Sequence, residues 1–189
     1  MQFNELIMGT KTLVIVESPA KAKKISKFLG DDFIVKASFG HVVDLTTSGT
    51  GNLGVDIENN FTPKYEVIPD KKDKVKAIIG AASDAKQIFI ASDPDREGEA
   101  IAWHLEDLLK KTQLPIFRVI FNEITQKAVL KAIKSPGKLD ANLYDAQQAR
   151  RVLDRIVGFS VSPFLIKRFG PQMSAGRVQS VGVRMVVDR

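Results

Sequence analysis

The chain has 189 residues, of which 44% are hydrophobic and 26% charged, which is the balance of a soluble globular protein. No stretch reaches the roughly 20 apolar residues of a membrane span, and the start of the chain lacks the basic region of a secretory signal. The absence of cysteine excludes disulfides and thiolate metal sites and favours a reducing cytoplasm, while the net charge of +6 is typical of proteins with polyanionic partners.

Strands and helices are predicted to alternate along the first two thirds of the chain. In order, we expect a strand over 12–17, a helix over 19–29, a strand over 32–38, a long loop over 40–69, a helix over 72–82, a strand over 87–91, a helix from 97 or 98 to about 111, a strand over 115–121 and a helix capped by Thr125. This alternation predicts an α/β fold whose mostly parallel sheet is flanked by helices.

A break at 135–140 separates this part from a basic, helical remainder. There we expect a helix over 141–158, a shorter one over 162–170 and a third from 179 onward. The predicted organisation is therefore a leader over 1–10, an α/β domain over 11–136 and a small, truncated all-helical piece over 137–189.

The stretch "ASDPDREGEA" places four carboxylates two residues apart, at Asp93, Asp95, Glu97 and Glu99. Like charges this close repel unless a cation lies between them, and Mg²⁺ takes such oxygen ligands. A solvated acidic turn is the alternative interpretation. Because this turn follows a buried strand and precedes a helix, where open α/β sheets bind ligands, we favour a metal site.

Glu17 ends the first strand, and Lys21 follows in the first turn of the next helix. The carboxyl ends of parallel strands line one rim of a sheet, so Glu17 is expected to approach Asp93. A carboxylate, a lysine, a metal and a helix N-terminus together are suited to phosphoryl chemistry. Either residue alone would be read as an ordinary surface side chain.

Six stretches together resemble the bacterial type IA DNA topoisomerases, whose α/β part is the Toprim domain. They are "LVIVESPAKAKKISKFLG", "GHVVDL", "ASDPDREGEAIAWH", "FNEIT", "AQQARRVLDRIVG" and "SAGRVQSVGVR", in that order. A glutamate with a distant Asp-x-Asp is a general Toprim signal, whereas "SAGRVQS" after "QQARRVLDR" is much more specific. The resemblance extends over nearly everything after residue 10.

The resemblance implies roles for particular residues. Glu17 would act at the cleaved phosphodiester with Lys21 on its phosphate, and Glu17, Asp93, Asp95 and Glu97 would hold Mg²⁺. Asp154 and Arg151, three residues apart on one helix face, could pair. Ile166 stands where relatives often carry tryptophan. The residues implied in binding single-stranded DNA are His41, Arg150, Arg151, Asp154, Phe159, Ile166, Ser174, Ala175, Gly176, Arg177, Val178 and Gln179.

Type IA enzymes cut one strand with a tyrosine hydroxyl, and neither Tyr65 nor Tyr144 lies in a stretch like the family's nucleophile motif. We therefore expect an amino-terminal part of such an enzyme, monomeric and cytoplasmic, whose partners are DNA and the remainder of the topoisomerase. Two alternatives stay open: a stand-alone Toprim nuclease or primase, and a non-catalytic module that binds single strands.

Overall fold

The structure is a computed structural model that describes residues 10–48 and 52–189. The strands, in chain order, are β1 (Lys11–Val16), β2 (Phe33–Ala37), β3 (Val43–Leu45), β4 (Val55–Asp56), β5 (Thr62–Pro63), β6 (Tyr65–Val67), β7 (Ala85–Ile90) and β8 (Ile116–Arg118). The helices are α1 (Pro19–Leu29), α2 (Lys72–Ala82), α3 (Arg96–Leu109), α4 (Gln126–Ile133), α5 (Ala141–Phe169) and α6 (Arg177–Val187).

A parallel sheet in the order β2-β1-β7-β8 is the framework of the fold, and it confirms the predicted α/β class. Its central strand β1 has both faces covered, so that Leu13 and Ile15 are completely inaccessible to solvent and Val14 and Val16 nearly so. A strand buried on both sides needs a continuous apolar run, which "LVIV" supplies. On one face, Val14 and Val16 pack in a cluster with Ile25 of α1 and residues of β7 and α4.

The region predicted as a long loop has short strands of its own. Strands β3 and β6 form one two-stranded sheet, and β4 and β5 form another, which is antiparallel. Gly54 permits this compact course, because its φ is 65° and a Cβ there would clash with the carbonyl of Thr46. The pattern was invisible in sequence since each strand has only two or three residues.

The prediction of two helices over 141–158 and 162–170 is wrong, because α5 is one helix of 29 residues with Pro163 inside it. Proline removes a helical hydrogen bond and crowds the preceding turn, which usually costs about 3 kcal/mol, yet the helix continues through it here. The Ser162 hydroxyl, next to the proline, accepts a hydrogen bond from Ala175 N at 2.9 Å. Arg155 lies over the Phe159 ring at 5.0 Å one turn earlier.

The chain forms two compact units. Unit 1 comprises 10–43 and 67–145, and unit 2 comprises 44–66 and 146–189 apart from the undescribed positions. The predicted boundary near Gly137 stays a prediction, and the leader predicted for 1–10 lies, but for Thr10, outside the described residues. Across the described ranges, every helix is too short or too polar to cross a membrane.

Candidate active site and nucleic-acid interface

The ends of β1 and β7 bring Glu17 and Asp93 together in unit 1. These strands are parallel neighbours, so their carboxyl ends share one rim. Glu17 Oε2 accepts a hydrogen bond from Asp93 N at 3.1 Å. The Lys21 ammonium pairs with Glu17 and lies 2.5 Å from Asp93 Oδ1. Two carboxylates that are distant in sequence thus share one cation, as the strand order predicts.

Local signals at the start of α1 fix the lysine in this position. Ser18 caps the helix by accepting from Lys21 N at 3.3 Å, and Pro19 begins its first turn. Lys21 therefore points from the first turn toward the rim. Partial burial acts to lower the Lys21 pKa, but the hydrogen bonds and charges of Asp93 and Glu17 outweigh it and raise that pKa above its usual value.

Asp95 and Glu97 lie in the acidic turn but have other partners. Asp95 is the N-cap of α3, and its Oδ1 accepts from Gly98 N at 2.7 Å. Glu97 Oε2 lies 3.2 Å from His41 Nε2. In the part of the chain that the structure describes, no three His, Asp or Glu side chains converge closely enough to hold a metal ion. The four predicted ligands are thus brought to one rim without forming a single cluster.

The chemistry of this rim nevertheless fits a divalent cation. The Lys21 ammonium already occupies a position between two carboxylates that a second cation could share or take over. Asp93 and Glu97 have about half of their side-chain surface exposed, so their oxygens are accessible to an ion and its waters. Carboxylates with several retained waters are the usual protein site for Mg²⁺.

Arg118, a residue that no sequence motif singled out, binds the backbone where β7 leads into the acidic turn. Its side chain is 1% exposed and pairs with the buried Glu99, Nε to Oε2, at 2.8 Å. Its other two nitrogens donate to backbone carbonyls at 2.8 to 3.2 Å, Nη1 to those of Ile90, Ser92 and Val119 and Nη2 to that of Asp93. An arginine within the apolar stretch "PIFRVIF" was the signal available in sequence.

The arginines of α5 make different contacts in unit 2 from those expected. Arg151 forms a bidentate ion pair with Asp44 of β3, with Nε donating to Oδ1 at 3.1 Å and Nη2 donating to Oδ2 at 2.5 Å. Arg155 donates to the carbonyls of Leu45 and Thr46 at 3.2 and 3.4 Å. Burial acts to raise the pKa of Asp44, but the hydrogen bonds from Arg151 and the Leu45 N–H, with the arginine charges, lower it.

The predicted pairing of Asp154 with Arg151 is wrong. Asp154 Oδ1 instead accepts from Arg177 Nε at 2.8 Å, and Arg150 Nε lies 3.7 Å from the other oxygen. The hydrogen bond from Arg177, with the charges of the arginines, lowers the pKa of Asp154. Arg151 instead meets both oxygens of Asp44, and such two-point pairs between arginine and carboxylate are stronger than single hydrogen bonds.

Several predicted DNA-binding residues line one open cleft of about 530 Å³ within unit 2. Ser174 and Ala175 precede α6, Gly176 is its N-cap, and Arg177, Val178 and Gln179 form its exposed first turn. These six residues do not line that cleft. The residues that do are Thr47, Arg151, Asp154, Arg155, Gly158, Phe159, Ser162, Pro163 and Ile166.

The structure places Tyr144 among packed aromatic rings and Tyr65 in a short strand. Tyr144 stacks on Trp103 with ring centroids 4.5 Å apart and an angle of 8° between the planes. His104 meets the same tyrosine ring edge-on at 5.7 Å. Tyr65 lies in β6 and is partly buried. Tyr144 therefore serves to pack the beginning of α5 against α3.

The fold and this rim define a Toprim protein. The sequence matches the Toprim domain over residues 12–124, so the chain belongs to that family. It also matches the bacterial DNA topoisomerase family over residues 138–189.

Two relatives show which Toprim proteins the chain resembles. It is 47% identical to DNA topoisomerase 1 of Streptomyces coelicolor, in an alignment that covers 98% of this chain and 20% of that protein. It also matches the structure of full-length topoisomerase I from Thermotoga maritima with a TM-score of 0.82 and 44% identity, over 94% of this chain and 30% of the other. The chain thus spans about a fifth of the length of its Streptomyces relative.

Proposed function

We propose that this chain is the amino-terminal part of a type IA DNA topoisomerase, which relaxes negatively supercoiled DNA without ATP by cutting, passing and resealing one strand. The observation that carries the proposal is the convergence of Glu17 and Asp93 on Lys21 at the rim of a Toprim sheet. The family match of the following helices adds the topoisomerase class. The relatives that carry this name favour this class over a stand-alone nuclease or primase.

In the complete enzyme, a tyrosine oxygen supplied by the rest of the chain forms a bond to the phosphorus while the bond to the 3′ oxygen breaks. The tyrosine hydroxyl gives its proton to water, Glu17 in its carboxylic acid form gives a proton to the departing 3′ oxygen, and both transfers are reversed when the strand is resealed. Lys21 places its positive charge beside the phosphate oxygens. Mg²⁺ would be held by Asp93, Asp95 and Glu97 together with Glu17, and it would add positive charge at the same phosphate.

The single strand is bound by the basic face of unit 2. Arg150, Arg151 and Arg177 contact phosphates, Phe159 of the cleft stacks on a base, and Ile166 lines the path of the strand. His41 touches the strand beside the acidic rim, which is the edge of the sheet that carries Glu17, Asp93, Asp95 and Glu97. We place the chain in the bacterial cytoplasm because it lacks cysteine and its relative is bacterial, and we take it to act as a monomer.

This chain by itself binds single strands without cutting them. The pairing of Tyr144 with Trp103 keeps that ring in a packing role, and water is a poor substitute in a site that positions a protein hydroxyl. The nucleophile belongs to a part of the topoisomerase outside these 189 residues.

The test uses a labelled single-stranded oligonucleotide incubated with the chain and Mg²⁺. We expect binding, an intact strand and no covalent adduct on a denaturing gel. Addition of the remainder of a topoisomerase as a second chain should restore the adduct, and Glu17→Ala in the first chain should prevent this. Nicking or primer synthesis by the chain alone would instead identify a nuclease or primase. Affinity that does not change after metal removal would favour the non-catalytic binding module.

A further inference from the structure

Phe39 is an exposed aromatic side chain in an unusual backbone conformation. Its φ is 62°, in the left-handed region, and 41% of its surface is exposed. Bulky residues rarely adopt this conformation, because the Cβ approaches the carbonyl oxygen. Such strain persists where the surroundings impose it, and it is concentrated at functional sites. Neither the cleft nor the acidic rim explains why an aromatic residue stands here.

The segment around Phe39 is held by hydrogen bonds that reach the acidic rim. Lys71 Nζ donates to the carbonyl oxygen of Phe39 at 2.8 Å. On either side of the aromatic residue, Ser38 N donates to Val16 O at 2.8 Å and Gly40 N to Glu17 O at 2.9 Å. The backbone of Phe39 is therefore held one residue from a direct backbone contact with Glu17.

Two ammonium groups accompany the ring. Lys74 Nζ lies 4.6 Å from the ring centroid and Lys71 Nζ lies 5.9 Å from it. Both distances are within the range of cation–π attraction. Since 41% of Phe39 remains exposed with these groups in place, a planar base can still reach the ring.

An exposed aromatic ring beside cations is the combination with which proteins bind single strands without reading their sequence. We propose that Phe39, Lys71 and Lys74 form a stacking platform for single-stranded DNA, with one base on the ring and the flanking phosphates on the lysines. This inference rests on the proposed function. It adds a contact surface in unit 1, at the border of the acidic rim, to the basic face of unit 2.

The variant that tests the ring is Phe39→Gly, because glycine adopts the same backbone conformation without strain. Its matched control is Phe61→Gly. Phe61 is also exposed, with a φ of 56°, and within residues 10–48 and 52–189 no cation lies over its ring. Both variants are expected to melt no lower than the wild-type chain.

Binding is measured by fluorescence anisotropy with an oligothymidylate and with an abasic strand of equal length. Phe39→Gly should weaken oligothymidylate binding about tenfold and leave the abasic strand unaffected, since stacking requires a base. Phe61→Gly should change neither. Lys71→Gln with Lys74→Gln should instead weaken both strands and lower the salt slope by roughly 0.7 for each lost phosphate contact.

Location is tested by ultraviolet cross-linking of an oligonucleotide that carries 5-iodouracil. A cross-linked peptide containing Phe39, lost in Phe39→Gly, is expected. Cross-links confined to residues 150–179, together with Phe39→Gly binding each strand as tightly as the wild-type chain does, would overturn the platform and leave the proposed function in place. A wild-type chain that binds neither strand would overturn both.

Discussion

Arg118 donates its Nε–H to Glu99 Oε2 at 2.8 Å, and both side chains are at most 2% exposed. Glu99 Oε1 accepts a second hydrogen bond, from Asp140 N at 2.7 Å. The pair thereby links three segments of unit 1: the start of α3, the end of β8 and the residue before α5. A buried charge pair of this kind is costly to break from one side, because the partner is left charged and desolvated.

We predict that Glu99→Gln and Arg118→Met each lower the free energy of unfolding by roughly 3–5 kcal/mol. Urea denaturation of each variant measures this loss. The double variant should lose less than the sum of the two, since neither charge is left unpaired. Removal of the exposed Asp107–Lys110 pair is the control and should change stability by at most about 1 kcal/mol. Additive losses in the double variant would show that the buried residues act independently.

Gly98→Ala should disturb the acidic turn directly. A Cβ at this position would collide with the carbonyl oxygen of Asp93 and approach its nitrogen to 2.8 Å. We expect a loss of about 1–3 kcal/mol in urea denaturation and weaker Mg²⁺ binding in calorimetry. Gly80→Ala is the matched control: α2 leaves open space around Gly80, and alanine should stabilise that helix by up to about 1 kcal/mol. Equal effects at the two glycines would contradict the prediction.

The joint variant Asp93→Asn and Asp95→Asn should abolish Mg²⁺ binding while the apo chain remains folded. Asparagine retains the N-cap of α3 that Asp95 provides, and Lys21 retains Glu17 as a partner. Calorimetric titration with Mg²⁺ is the measurement, and thermal melting without metal is its control. Binding as tight as that of the wild type would place the ion elsewhere.

Single-strand binding should depend on salt through the arginines of unit 2. Arg150→Ala, Arg151→Ala and Arg177→Ala should each lower the slope of log affinity against log salt by roughly 0.7 if one phosphate contact is lost. Lys110→Ala, a comparably exposed cation on the other unit, is the control and should leave the slope unchanged. If all four variants keep the wild-type slope, the surface that binds the strand lies outside α5 and α6.

Asp44 should make unit 2 sensitive to acid. Its pKa is lowered in the folded chain, so the stability that it contributes is present above the unfolded value near 4 and is lost as pH falls through the lower folded value. Asp44→Asn should therefore lower the melting temperature at pH 6, and the difference from the wild type should shrink toward pH 3. A difference that is constant across that range would exclude the ionised Arg151–Asp44 pair as its cause.

The sequence determined the class of this protein and the rim at which its acidic residues meet. Apolar runs buried on both faces leave few alternatives to a parallel sheet, and parallel strands end on the same side. The cap at Ser18, the proline after it and the stop at Gly30 likewise fixed α1 to the residue. Local chemistry dictates such features, so they can be read without coordinates.

Only the tertiary structure decided which charges pair. Asp154 was expected to hold Arg151 from three residues away, yet Asp44, more than a hundred residues distant, offers the better two-oxygen geometry. Arg118 lies inside a predicted strand, and only the structure shows its three side-chain nitrogens meeting Glu99 and four backbone carbonyls. The continuity of α5 through Pro163 likewise runs against the local effect of proline, and Ser162 beside it bonds to Ala175, outside the helix. Burial and long-range hydrogen bonds decide these outcomes, and neither produces a regular pattern of residues along the chain that could be recognised in the sequence.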